Sequence, residues 1–102
     1  MDSLPYEKRI SPKELRDIFN EQEFWERINS GKLRAILMSE KHPAPHRSGH
    51  PLCTLSQTLA YFDDQDQEVA RVHQYKRPNG TLGGSGRPDP KRLLVEGIIY
   101  KI

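Results

Sequence analysis

The chain has one cysteine, Cys53, among 102 residues. A single thiol excludes an intramolecular disulfide framework and any zinc site built from several cysteines. No apolar run approaches the ~18–20 residues that a membrane-spanning helix requires. Residues 1–10 carry charges of both signs and no apolar centre, so no secretory signal is read there and a cytoplasmic location is expected. Aromatic residues make up 8% and apolar residues 34% of the chain, which suits one thin core and a single domain over 1–102. Cofactor signatures are missing too. The glycine-rich stretch lacks the Gly-Lys-Ser/Thr of a phosphate-binding loop, and no βαβ unit follows it, so no cofactor is assigned. No Ser-His-Asp order and no paired carboxylates stand out.

Charge is present in quantity and is unevenly placed. The net formal charge of +2 conceals four blocks. Residues 1–30 carry −2, residues 31–50 carry +3, residues 51–72 carry −3, and residues 73–102 carry +4. Both basic blocks contain segments rich in Pro, Gly and Ser. They are expected to form two long basic loops, 41–52 and 78–92, whose backbone amides can meet a ligand.

Ser11-Pro12-Lys13-Glu14 has the form of a capping box with proline at the first helical position. Asn20-Glu21-Gln22-Glu23 offers a second cap. Helices over 12–19 and 21–30, or one helix bent near Asn20, follow from these signals. Leu15, Ile18, Trp25 and Ile28 share a face, with Phe19 and Phe24 at its margins. Gly31 is the stop. Residues 1–10 read as a loose terminus. Lys32–Glu40 reads as a strand with apolar residues on both faces, which predicts a central or helix-covered position. Cys53–Phe62 and Glu68–Arg77 are further strands, and Arg92–Ile102 reads as a hairpin with Glu96-Gly97 at its corner. The expected fold is α+β: one or two N-terminal helices packed on a four- to five-stranded, mainly antiparallel sheet.

In Glu68–Arg77, period two places Val69, Arg71, His73, Tyr75 and Arg77 on one face and Ala70 and Val72 on the other. A row of Arg, His, Tyr and Arg is costly to bury without partners, so it faces solvent or a cleft. Thr54, Ser56 and Thr58 share one face of the preceding strand and are candidates to lie beside it. Arginine binds phosphate and tyrosine stacks on a base. If the protein is an enzyme, the row fits a metal-independent ribonuclease. His73 is the general acid or base, and Arg71 and Arg77 stabilise charge on the pentavalent phosphate. Tyr75, Lys76, Thr81, Gly83, Gly84, Ser85, Gly86, Arg87, Lys91 and Arg92 are the nucleic-acid or anion-binding candidates, because glycines let a backbone nest approach an oxyanion. His42, His46 and His50 recur every four residues, but prolines at 43, 45 and 51 forbid the helix that would align them. Zinc would need that loop to fold back on itself, and no metal is assigned.

The stretch His73-Gln-Tyr-Lys-Arg-Pro-Asn-Gly-Thr-Leu-Gly-Gly-Ser-Gly-Arg-Pro-Asp-Pro-Lys-Arg92 resembles one found in small bacterial proteins of no assigned activity. With Pro51-Leu-Cys-Thr upstream, the resemblance covers about half the chain and implies no chemistry. The expected layout is also similar to that of the RelE-like ribonuclease toxins, in architecture alone. Two functions follow as expectations. The first is a protein that binds RNA, or another phosphate-bearing ligand, through a basic loop and strand face, with ribonuclease activity of toxin type as its enzymatic form. The second is a non-catalytic module or small regulator that engages a protein partner.

Overall fold

The computed structural model describes residues 6–41, 54–83 and 86–102. The elements run β1 (Tyr6–Arg9), α1 (Pro12–Glu21), α2 (Phe24–Asn29), β2 (Arg34–Lys41), β3 (Leu55–Phe62), β4 (Glu68–Lys76), β5 (Asp89–Val95) and β6 (Ile98–Lys101). The six strands form one sheet in the order β1-β6-β5-β4-β3-β2. All neighbours are antiparallel except β1 and β6, which are parallel. The expectation of four or five mainly antiparallel strands is therefore corrected to a six-stranded mixed sheet that dominates the fold. The difference arises at the N-terminus. Residues 6–9 are not loose but pair with the last strand, a contact across nearly the whole chain that local patterning does not reveal. No helix among the described residues is long and apolar enough to cross a membrane.

Helix α1 starts as its sequence dictates. Ser11 Oγ accepts from the Glu14 amide at 3.1 Å, and Glu14 Oε1 accepts from the Ser11 amide at 3.2 Å. The second cap does not form. Helix α1 runs through Asn20 to Glu21, and α2 begins after Glu23, which is left-handed (φ 56°) and caps nothing with its side chain. This break resets the helical phase. Leu15, Phe19 and Phe24 become the buried centre, while Ile18, Trp25 and Ile28 are partly buried around it. The Phe19 and Phe24 rings stack at 5.7 Å. Helix α2 ends at Gly31 in a Schellman arrangement: the Lys32 amide donates to Arg27 and the Gly31 amide to Ile28.

Cross-strand partners share a face. Tyr61, Ala70, Leu93 and Tyr100 form one row across β3–β6, and Leu59, Val72 and Pro90 form the next. Both helices seat their buried side chains on this face. Leu93, Val72 and Pro90 on this face are fully buried, and Leu93 and Val72 share one core cluster with Leu15, Phe19 and Phe24.

Two further expectations change. Strand β2 is an edge, not a central strand. All eight of its residues are exposed, with Ile36, Leu37 and Met38 at 40%, 49% and 52%. A bulge at Met38 interrupts its register with β3. The long loop 78–92 is shorter than expected, because Asp89–Arg92 are already in β5. The 41–52 loop falls outside the described residues beyond Lys41.

Replacing Ser11 with Ala removes one half of the capping box and is expected to cost about 1 kcal/mol. Leu93→Ala removes a fully buried side chain beneath α1 and is expected to cost about 2–5 kcal/mol. Urea denaturation of each variant against the parent checks both values.

Candidate functional site: the helix-free sheet face

The parity that sends Ala70 and Val72 toward the helices sends Arg71, His73 and Tyr75 to the other side of the sheet, on which no helix of the described residues packs. Registers extend each of these residues into a row. Arg71 continues into Arg92, Lys101 and Arg9 on β5, β6 and β1, and into Ala60 and Ile36 on β3 and β2. His73 lies opposite Thr58 on one side and Asp89 on the other. Tyr75 lies opposite Ser56, which lies opposite Lys41. Arg71, His73, Tyr75, Arg92 and Lys101 are all half-buried.

The basic row is the principal electrostatic feature of this face. Adjacent strands are ~4.8 Å apart, so four cations on four neighbouring strands span about 14 Å. Two carboxylates are interleaved with them. Glu7 accepts from Lys101 at 2.8 Å and lies 3.8 Å from Arg92. Glu68 accepts from Arg71 Nε at 2.9 Å and lies 2.7 Å from its Nη2. The hydrogen bond and charge of Lys101, with the fields of Arg92 and Arg9, hold the Glu7 carboxyl below its ordinary pKa. A hollow of about 160 Å³ is lined by Arg92 together with Gln67, Glu68, Val69, Ala70, Leu94 and Ile99.

His73 sits in a tighter arrangement. Its Nε2 is 2.8 Å from Ser56 Oγ. Its ring meets Tyr75 edge-to-face, with centroids 4.8 Å apart and planes at 84°. Burial lowers the His73 pKa below the ordinary histidine value. Lys91 lowers it further, and the field of Asp89 opposes both. The imidazole is therefore neutral at neutral pH, and Nε2 is a lone-pair acceptor when Ser56 donates. Asp89 does not complete a triad. Its carboxylate accepts from Lys91 at 3.0 Å and lies 3.9 Å from Arg16 on α1.

The expected site residues are distributed as follows. Arg71, His73, Tyr75 and Arg92 share the helix-free face. Arg77 lies beyond the end of β4 in a turn closed by its own amide to Thr81 (2.8 Å) and by the Gly80 amide to Arg77 (2.9 Å). Lys76 bridges Leu82 in the same hairpin and is exposed. The donors proposed for an anion nest are partly engaged: the Gly83 amide donates to Tyr75 and the Thr81 hydroxyl to Asn79. Gly86, left-handed at φ 82°, donates to Gly83. Arg87 donates to Asn20 and lies 4.0 Å from Glu26, so it holds to the helices. Lys91 pairs with Asp89. Thr54 is buried, and its hydroxyl has no hydrogen-bond partner among the described residues. Gly84, Ser85, His42, His46, His50 and Cys53 lie outside the described residues. Among the described residues, no three His, Cys, Asp or Glu side chains converge as metal ligands.

Arg9, Lys101 and Glu7 are the residues that sequence reasoning missed. Their signal would have been the pairing of the two chain ends, and no local pattern encodes that. The Ser56–His73 contact was half legible, since alternation put Ser56 on a candidate face but did not set its register against β4. Comparison with protein-family models, with curated proteins and with solved structures finds no match to this chain.

The lowered His73 pKa fixes a pH signature. The unfolded chain binds this proton at higher pH than the folded chain. Stability therefore falls as pH drops through the unfolded histidine value of ~6.5 toward the folded value, and is insensitive to this group above it. NMR titration is expected to place the His73 midpoint below 6.5. His73→Gln is expected to flatten the urea-measured stability between about pH 7.5 and 5.5, relative to the parent.

Proposed function

We propose that the helix-free sheet face binds a single-stranded nucleic acid, RNA in the first instance, through its phosphates. One observation carries this reading: Arg9, Lys101, Arg92 and Arg71 stand in register on four adjacent strands. A polyanion laid across the strands meets a cation at each step, and each neutralised phosphate releases counterions. The half-buried Tyr75, set edge-to-face with His73, gives an unpaired base an aromatic surface at the adjoining end of the face. Arginine presents a planar fork suited to phosphate oxygens, and three of the four cations are arginines. Glu7 and Glu68 hold Lys101, Arg92 and Arg71 in place before a ligand arrives.

A second reading rests on a different observation. Strand β2 exposes Ile36, Leu37 and Met38 on an edge that no other strand of the described residues pairs, which suits strand addition by a protein partner. The bulge at Met38 weakens that template, so the nucleic-acid reading is preferred.

Fluorescence anisotropy with an unstructured RNA oligonucleotide, titrated between about 50 and 200 mM salt, tests the proposal. Binding is expected to weaken steeply with salt. Arg92→Gln and Lys101→Gln are each expected to reduce the log–log slope by about 1. Tyr75→Leu is expected to lower affinity by about 1–3 kcal/mol with little change of slope. Lys32→Gln, a surface change outside the row, serves as the control. Absence of binding at the lowest salt, or slopes indifferent to the row substitutions, overturns the reading.

A further inference from the structure

We propose that Ser56 is a nucleophile toward a phosphodiester, with His73 as its general base. The inference rests on the nucleic-acid reading for its substrate and on separate geometry for its chemistry. Ser56 Oγ lies 2.8 Å from His73 Nε2. The two side chains are diagonal neighbours on β3 and β4, and both are half-buried. The edge contact with Tyr75 fixes the plane of the imidazole. The next requirement is a group to meet developing negative charge. Ser56 has Lys41 opposite it on β2 and Tyr75 opposite it on β4, so an ammonium and a phenol occupy the flanking register positions. Arg71 is two residues from His73 on the same face, at the near end of the basic row, where the bound backbone would enter.

The step balances without a further reagent. Ser56 Oγ attacks phosphorus as its proton passes to His73 Nε2. The Oγ–P bond forms and the bond from phosphorus to one bridging oxygen breaks. The leaving oxygen takes the proton from the imidazolium. Water, giving its proton to the neutral His73, then attacks phosphorus; the P–Oγ bond breaks and the imidazolium returns the proton to the departing Ser56 oxygen, restoring the hydroxyl. This differs from the route in which His73 activates a ribose 2′-hydroxyl. In the structure Nε2 faces Ser56, and a serine nucleophile has no need of the 2′-hydroxyl. The substrate class is therefore a single-stranded phosphodiester, whatever its sugar.

The test uses the full chain with an RNA oligonucleotide and its fully 2′-O-methylated counterpart. Binding is measured by anisotropy and cleavage by denaturing gel on the same samples. Cleavage of both strands is expected, with a covalent oligonucleotide adduct mapped to Ser56 by peptide mass spectrometry. Ser56→Ala and His73→Gln are each expected to slow cleavage about 100-fold or more while binding persists. A 2′-O-methyl strand that binds but is neither cut nor captured overturns the proposal and leaves the binding reading standing. RNA cleavage that Ser56→Ala does not slow also overturns it. If neither strand binds, the binding reading fails, and an aryl fluorophosphonate tests the pair alone. Phosphonylation of Ser56 with loss of fluoride, slowed about 100-fold by His73→Gln, supports the nucleophile assignment. An unlabelled Ser56 rejects it.

Discussion

The register of β4 between β3 and β5 is the constraint on which the rest of the structure depends. β4 is central, so its alternation is imposed on both neighbours. Ala70 and Val72 bring Tyr61, Leu59, Leu93 and Pro90 onto the helix side, where Leu15, Phe19 and Phe24 cover them. The same alternation leaves Arg71, His73 and Tyr75 on the other side. A slip of one residue would drive Arg71 and His73 under the helices and expose Val72, exchanging buried apolar area for unpaired charge. The core and the candidate site are therefore two consequences of one register, and the core enforces the site's geometry.

Only part of this was legible in the sequence. What could be read was local: the Ser11 capping box, the Gly31 stop, the Glu96-Gly97 corner and the alternation of β4. Each depends on residues within a few positions, where propensity and side-chain chemistry act directly. A split of the helical region, or a bend near Asn20, was expected, but the phase was misjudged. Asn20 is helical, and the break falls at Glu23, whose left-handed conformation no residue preference announces. Strand β2 misled for another reason. Apolar residues on both faces usually mark burial, yet Ile36, Leu37 and Met38 lie on an exposed edge. The bulge at Met38 interrupts the register of β2 with β3, and no other strand of the described residues pairs with it.

The site was legible along β4 and illegible across it. Arg71, His73 and Tyr75 follow from period two. Their neighbours follow from pairing, which sequence spacing does not determine for strands that meet across the whole chain. Hence Arg92 was read at the junction of a loop and a hairpin, with no partner across the sheet, and Arg9 and Lys101 were not read as site residues at all. The glycine-rich segment illustrates the converse. Its composition suggested an open nest; among the described residues, the Arg77–Thr81 turn closes on itself and the Gly83 amide pairs with Tyr75, while Gly84 and Ser85 lie outside the description. Backbone donors that satisfy their own hairpin are poor anion ligands.

The two carboxylates in the basic row have a structural and an electrostatic consequence that pull in opposite directions. Glu7 is the side-chain tie between β1 and the strands beside it, through Lys101 and Arg92. Without it, Arg9, Lys101 and Arg92 would stand together unscreened, and the short parallel pairing of β1 would have to hold against that repulsion. With it, the row keeps an excess of two positive charges over Glu7 and Glu68. An isolated phosphate must compete with carboxylates already in place at hydrogen-bonding distance. A strand that offers several phosphates competes at every cation at once, and its counterion release adds along the row. If the proposed nucleic-acid reading holds, this multivalency is what would let a strand outcompete an isolated anion on the row.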